Sequence, residues 1–288
     1  MDKSTIKRQD FKHNFLITGI VRLDYSGVIE IEDKIEDLSN DLHTNGYTEY
    51  NEEYISELSI KLSDPVKIET LRSIPIEEFV KNKSYKFVNP NNKNVIEITK
   101  FFTTLTIDYS TYTKFEDYIS LFAGISKKLQ SQQPFIKPLR VGERKISSLF
   151  ITDEKIIPNY FESPCFNTPL QISSMIDDPS ELVIHNAVDT LKVGDILVNV
   201  TRNISKGVLR TKEEDQEVFR LIFDIDCYSS GETVLDIFKE DYIKKRLTKF
   251  NDLDFNLYKK SITDKFIEKL TSPELTLDDN IIGIRSQL

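Results

Sequence analysis

Apolar and polar residues alternate over residues 15–25. Phe15, Ile17, Val21 and Leu23 fall on one side and Leu16, Thr18, Ile20, Arg22 and Asp24 on the other, the two-residue period of a β-strand. The period then lengthens, because Ile31, Ile35, Leu38 and Leu42 recur at helical spacing and Asn45-Gly46 supplies a stop. Residues 54–62 read as a strand with Ile55, Leu58, Ile60 and Leu62 mostly on one face, and Asp64-Pro65 turns the chain. Residues 66–99 read as short strands broken by turns, of which Asn89-Pro90-Asn91-Asn92 is the clearest.

Phe101, Thr103, Leu105, Ile107 and Tyr109 mark the next strand, and Thr113 with Glu116 has the spacing of a helix capping box. The helix that follows sets Phe115, Tyr118, Phe122, Ile125 and Leu129 along one stripe, which predicts packing against a sheet. A strand over residues 136–145 leads into residues 158–179, which contain prolines and little periodicity and are the candidate boundary or long loop. Residues 196–202 and 218–227 read as strands. Residues 240–270 read as one or two amphipathic helices carrying Ile243, Leu247, Phe250, Phe255, Ile262, Phe266 and Leu270.

A local unit recurs in this pattern: a strand ending in an Asp-Tyr-Ser-like corner, then a helix opening with Glu-Asp. Its copies are Asp24-Tyr25-Ser26 with Glu32-Asp33, Asp108-Tyr109-Ser110 with Glu116-Asp117, and the looser Asp226-Cys227-Tyr228-Ser229 with Glu240-Asp241. Acidic residues are favoured in the first helical turn by the partial positive charge of its unpaired amides, so Glu-Asp alone carries little. The corner carries more, since each Asp sits on the polar side of a strand whose other side is apolar, and structural repetition is favoured over coincidence. The element order predicts an α+β fold of antiparallel sheets with a few long helices packed on one face, and internal pseudo-duplication of the strand-corner-helix units. Residues 1–150 and 151–288 are the expected α+β halves, compatible with one continuous domain.

Composition narrows the classes. With 288 residues, 39% of them hydrophobic, including 18 Phe and 12 Tyr, the chain can bury a large core and is not disordered. Neither a signal-peptide core nor an apolar run of about 20 residues is present, so a cytoplasmic protein without membrane segments is expected. Two cysteines are too few for a disulfide framework. Cys227 lies in line with Phe219, Leu221, Phe223 and Ile225, where a buried small hydrophobe is expected rather than a nucleophile, and Cys165 stands between Pro164 and Phe166. A net charge of −9 disfavours sequence-independent attraction to phosphates, although a local basic patch is compatible with it.

Candidate chemistry is sparse. Asp224 and Asp226, two apart on one strand, project their carboxylates from the same face and are the candidate catalytic or metal-binding pair, but their position on the polar side of a half-buried strand favours a structural or solvated role. His13, His43 and His185 form no ligand or catalytic spacing. Arg140 and Arg144, with Lys137 and Lys145, and Arg202 and Arg210, with Lys206 and Lys212, are candidate binding groups for phosphate. Glu143, Glu213, Glu214 and Asp215 dilute both clusters, and a solvated charged surface is the plainer reading. No phosphate loop or nucleotide fingerprint occurs among nine glycines, and neither a cofactor nor a metal is expected.

Several runs resemble the sporadically distributed "sporadTIGR" family of uncharacterised prokaryotic proteins. They are Arg220-Leu221-Ile222-Phe223-Asp224-Ile225-Asp226-Cys227-Tyr228, then residues 247–256 with Phe255 through Phe266, and upstream Thr103 through Tyr109, Tyr112 through Glu116 and Arg140 through Ile146. The resemblance covers most of residues 100–270. Glu143 departs from the Gly-Leu-Arg-Tyr-like segment more common there. The family's patchy distribution implies mobile conflict loci and brings no agreed catalytic residues. The resulting expectation is a non-catalytic protein-binding component of a prokaryotic conflict system, for anti-phage defence or as part of a toxin–antitoxin pair, with a protein partner encoded nearby. A metal-dependent hydrolase or nuclease using Asp224 and Asp226, and a nucleic-acid or nucleotide sensor using the arginines, are the less favoured alternatives.

Overall fold

A computed structural model describes residues 2–28, 31–57, 80–163, 165–166, 175, 182–210, 215–239, 241–275 and 281–284. The strands are β1 (Leu16–Tyr25), β2 (Glu49–Glu57), β3 (Val80–Val88), β4 (Val95–Thr99), β5 (Phe102–Asp108), β6 (Pro138–Ile151), β7 (Ile184–Val193), β8 (Ile196–Arg210), β9 (Asp215–Ser230) and β10 (Ile281–Ile284). The helices are α1 (Ile31–Thr44), α2 (Phe115–Gln132), the single turn α3 (Ile157–Tyr160), α4 (Tyr242–Ser261) and α5 (Asp264–Thr271).

All ten strands join one antiparallel sheet, in the order β2-β3-β4-β5-β1-β6-β9-β8-β7, with β10 paired to the end of β6. The order has a centre. β1 and β6 lie side by side, β5 returns to flank β1, β9 returns to flank β6, and a long helix follows each returning strand. The strand-corner-helix units fall at the ends of β1, β5 and β9, and Asp24, Asp108 and Asp226 all belong to the same side of the sheet.

The helices gather on the other side. α2 packs on β1 and β5, α4 on β6 and β9, and α1 bridges α2 and β3. The predicted stripe of α2, Phe115, Tyr118, Phe122, Ile125 and Leu129, is buried throughout and meets Val21, Leu23, Leu105 and Ile107 from the sheet in one core. Around Phe15 an aromatic cluster fixes α5, with Phe266 stacked at 5.5 Å and Phe161 edge-on at 5.9 Å. Helix α1 stops as predicted, because Gly46 takes φ +87°, a conformation that side chains with a Cβ resist, and the Tyr47 amide then closes on the Leu42 carbonyl at 3.0 Å.

Some expectations shift. The predicted 54–62 strand begins earlier, at Glu49, and residues 58–62 lie outside the described residues. The capping box is absent: the residue at the head of α2 is Lys114, without a side-chain cap, and Thr113 turns toward the Tyr118 hydroxyl. The strand expected over 136–145 runs on to Ile151, the strand expected over 196–202 runs on to Arg210, and β7 was not expected at all. Most of residues 158–179 lie outside the described residues, as do Glu213 and Glu214.

Candidate functional site

The pleat of β6 sorts its charges onto two faces. Even-numbered residues Arg140, Gly142 and Arg144 stand on the side that, among the described residues, carries no helix, and odd-numbered Val141, Glu143 and Lys145 stand beneath the helices. The six-residue run that looks like one diluted basic cluster in the sequence is therefore two sites, one per face.

On the open face, β1, β6 and β9 bring together Arg22, Asp24, Arg140, Arg144, Asp224 and Asp226. Arg140 donates to both oxygens of Asp226 at 3.0 and 2.9 Å and lies 3.6 Å from Asp24, which in turn accepts from Arg22 Nε at 2.7 Å. Arg144 grips Asp224 with Nε at 2.9 and 3.0 Å and with its terminal nitrogen at 2.5 Å. The Arg144–Asp224 pair, made by two nitrogens, is the bidentate and geometrically specific form of carboxylate recognition, whereas Arg140 reaches both Asp226 oxygens from one nitrogen. Two rings complete the row: the Arg22 guanidinium lies 4.1 Å over Phe102 and that of Arg140 lies 4.5 Å over Tyr228. Gly142 makes this possible, since a Cβ there would stand 3.0 Å from Tyr228 Cβ and 3.3 Å from the Arg140 guanidinium.

The two candidate carboxylates do share a face, and each is already held by an arginine. Burial pushes the Asp226 carboxyl up while Arg140 and Arg144 pull it down, and the Arg144 guanidinium is pushed up chiefly by its bond to Asp224. Arg202 and Arg210 do not join this row. Arg202 sits opposite Phe223 on the helix-covered side, paired with Asp189, and Arg210 ends β8 opposite Asp215. Lys212 lies outside the described residues. Beyond the row, the same open face dips into a shallow depression of about 550 Å³ between Ile17, Thr18, Phe150, Leu209 and Arg220.

Beneath the sheet lies a cluster that the sequence reading missed. Lys145 donates to Asn251 Oδ1 at 2.5 Å and to Asp254 Oδ2 at 2.8 Å, both from α4. Glu143 Oε1 stands 2.9 Å from the same ammonium as an ion pair without hydrogen-bond alignment. The side chains of Glu143, Lys145 and Asp254 are only 2%, 6% and 8% exposed. Tyr109 and Tyr112, stacked at 4.6 Å, and the Phe115 ring, 5.5 Å from the ammonium, wall this group off from water. Burial pushes the Glu143 carboxyl up, to about 7; burial also works against the Lys145 charge, but Asp254 and Glu143 outweigh it and hold that ammonium well above its usual value. A signal existed in the sequence: Asp254 interrupts the apolar stripe of Leu247, Phe250 and Tyr258, and an acid on a buried stripe needs a buried base.

The histidines stay apart, His13 beside α5, His43 at the end of α1 and His185 on β7. Cys227 is buried, and burial pushes its thiol up, away from reactivity; the same holds less strongly for the half-buried Cys165. Among the described residues, no group of three or more His, Cys, Asp or Glu is arranged to hold a metal ion, and no helix is long and apolar enough to cross a membrane. No protein-family model matches the chain, and no curated protein matches it significantly.

Proposed function

We propose that the chain is a non-catalytic binding component that presents the open face of its sheet to a protein partner. The observation that carries this reading is the Arg22–Asp24–Arg140–Asp226 row, clamped between Phe102 and Tyr228. A row of internally paired charges has little net field, so it attracts neither phosphate nor cations at long range. It does offer immobilised guanidinium and aromatic groups whose rotamers are already fixed, the residue types that dominate protein interfaces. Engagement of both Asp224 and Asp226 by arginine supports this reading over a metal-dependent hydrolase, and the separation of Arg202 from Arg140 and Arg144 supports it over a phosphate sensor. The resemblance to patchily distributed prokaryotic proteins supports a conflict-system setting with the partner encoded nearby.

The test is co-expression with adjacent genes and affinity capture of wild type and of a Tyr228→Ala, Arg144→Ala double variant. A stoichiometric protein partner whose affinity falls at least tenfold in the variant, about 1.4 kcal/mol, is the expected result. Nucleic acid in the eluate, lost as salt rises, would move the assignment to the sensor, and equal capture by both proteins would place the interface elsewhere.

A further inference from the structure

The sheet has a second distinctive surface, its β7 edge. Among the described residues β7 ends the strand order, and it pairs with β8 without a break from Ile184↔Ser205 to Val193↔Ile196, so its outer edge is long and free of bulges. Natural sheets blunt such edges with proline, bulges or inward charges. β7 has no proline, and its Ile184, Val188, Leu191 and Val193 are 45–63% exposed.

We propose that this edge binds the same edge of a second copy, antiparallel, across a two-fold axis through Val188. The backbone fixes which residues can take part. Lys206 N–H donates to the Val183 carbonyl at 2.9 Å, so Val183 and every second residue after it turn their peptide groups toward β8. Ile184, Asn186, Val188, Thr190 and Lys192 turn theirs outward. An antiparallel partner must pair outward-turned residues with one another. Centring the axis on Val188 does this along the whole strand, matching Val188 with itself, Asn186 with Thr190 and Ile184 with Lys192. Moving the axis to Asn186, Ala187 or Thr190 leaves more of the strand unpaired, and moving it to Asp189 sets two carboxylates face to face.

Side-chain chemistry agrees with this register. Between the hydrogen-bonded pairs, Val183 meets Val193, His185 meets Leu191 and Asp189 meets Ala187, so no two like charges face each other. The strand carries one acid and one lysine, which keeps it locally neutral on a chain of net charge −9. Self-complementarity of this kind is what an isologous interface requires, and it favours a second copy over an unrelated extended segment. A two-fold axis normal to the sheet would also keep both open faces on the same side.

Light scattering and sedimentation of the full chain across the micromolar range test the proposal. A mass twice the 33.5 kDa of one chain is expected, and raised salt should tighten the dimer by screening the like net charges. Val188→Lys sets two ammonium groups against each other on the axis and should weaken association at least tenfold with an unchanged circular dichroism spectrum. Tyr54→Lys, exposed on β2 at the opposite end of the strand order, should leave it intact. As a second readout, His185→Cys combined with Leu191→Cys should form a disulfide-linked dimer under mild oxidation, because facing residues of a non-hydrogen-bonded pair bring their Cα atoms to about 4.5 Å and their Cβ atoms within disulfide reach. A single-chain mass at every concentration, a dimer that Val188→Lys leaves unchanged, or no cross-link would overturn it. None of these readouts involves an open-face partner, so this test and the preceding one fail independently.

Discussion

One-residue steps along β6 decide which charge meets water and which is sealed. Glu143 carries the sharpest consequence. Its carboxyl is raised to about 7 by burial, so between its ordinary value near 4.5 and about 7 the folded chain holds a proton that the unfolded chain has released. Stability supplied by this group is full below pH 4.5 and declines as pH rises to about 7. Glu143→Gln should flatten that decline in denaturant titrations at a series of pH values, and a variant with the wild-type slope would show that another group titrates there. On the opposite face, Gly142→Ala pushes a methyl into Tyr228 and the Arg140 guanidinium. It should lower partner affinity with little loss of stability, whereas a folding defect without an affinity change would place the strain in the backbone. The alternation of β6 is readable in the sequence, and it suffices to separate Arg140 and Arg144 from Lys145. What each charge pairs with is not readable, because Asp24, Asp226 and Asp254 arrive from distant segments.

Elements with one strongly apolar side were legible. The stripe of α2 and the alternation of β1, β5 and β9 predicted both their type and their buried face, since in each the core-facing residues repeat at the period of the element. Phe122, fully buried in that stripe, should cost about 3–5 kcal/mol when changed to Ala, measured as a shift of the unfolding midpoint. β7 escaped for the converse reason: it is exposed on both sides, so no face of it is selected for apolar residues and no alternation appears. The capping box failed because Thr113 and Glu116 have the right spacing but the chain enters α2 one residue later, at Lys114. Lys145 links two elements, and Lys145→Ala would leave Glu143 and Asp254 buried without a cation. A loss of about 3–5 kcal/mol is expected, and a loss below about 1 kcal/mol would mean that water reaches the cluster.

At the scale of the whole molecule, pairing of β6 with β9 along Arg140↔Ser230 to Ile151↔Phe219 makes one sheet of the two expected halves. Calorimetry of the full chain should give a single cooperative transition, and two resolved transitions would show that each half holds its own core. Legible in the residues alone are the α+β class, the helices that pack on one face of antiparallel strands, and the polar side of the strands to which Asp24, Asp108 and Asp226 belong. All of these follow from hydrophobic periodicity within a segment. Folding alone brings Arg140 and Arg144 onto Asp226 and Asp224, sets Arg202 on the opposite face, buries Lys145 against Asp254 and, among the described residues, leaves β7 at the edge of the sheet. Those outcomes depend on which strands become neighbours, and strand order is set by contacts between segments far apart in the chain, which no local period records.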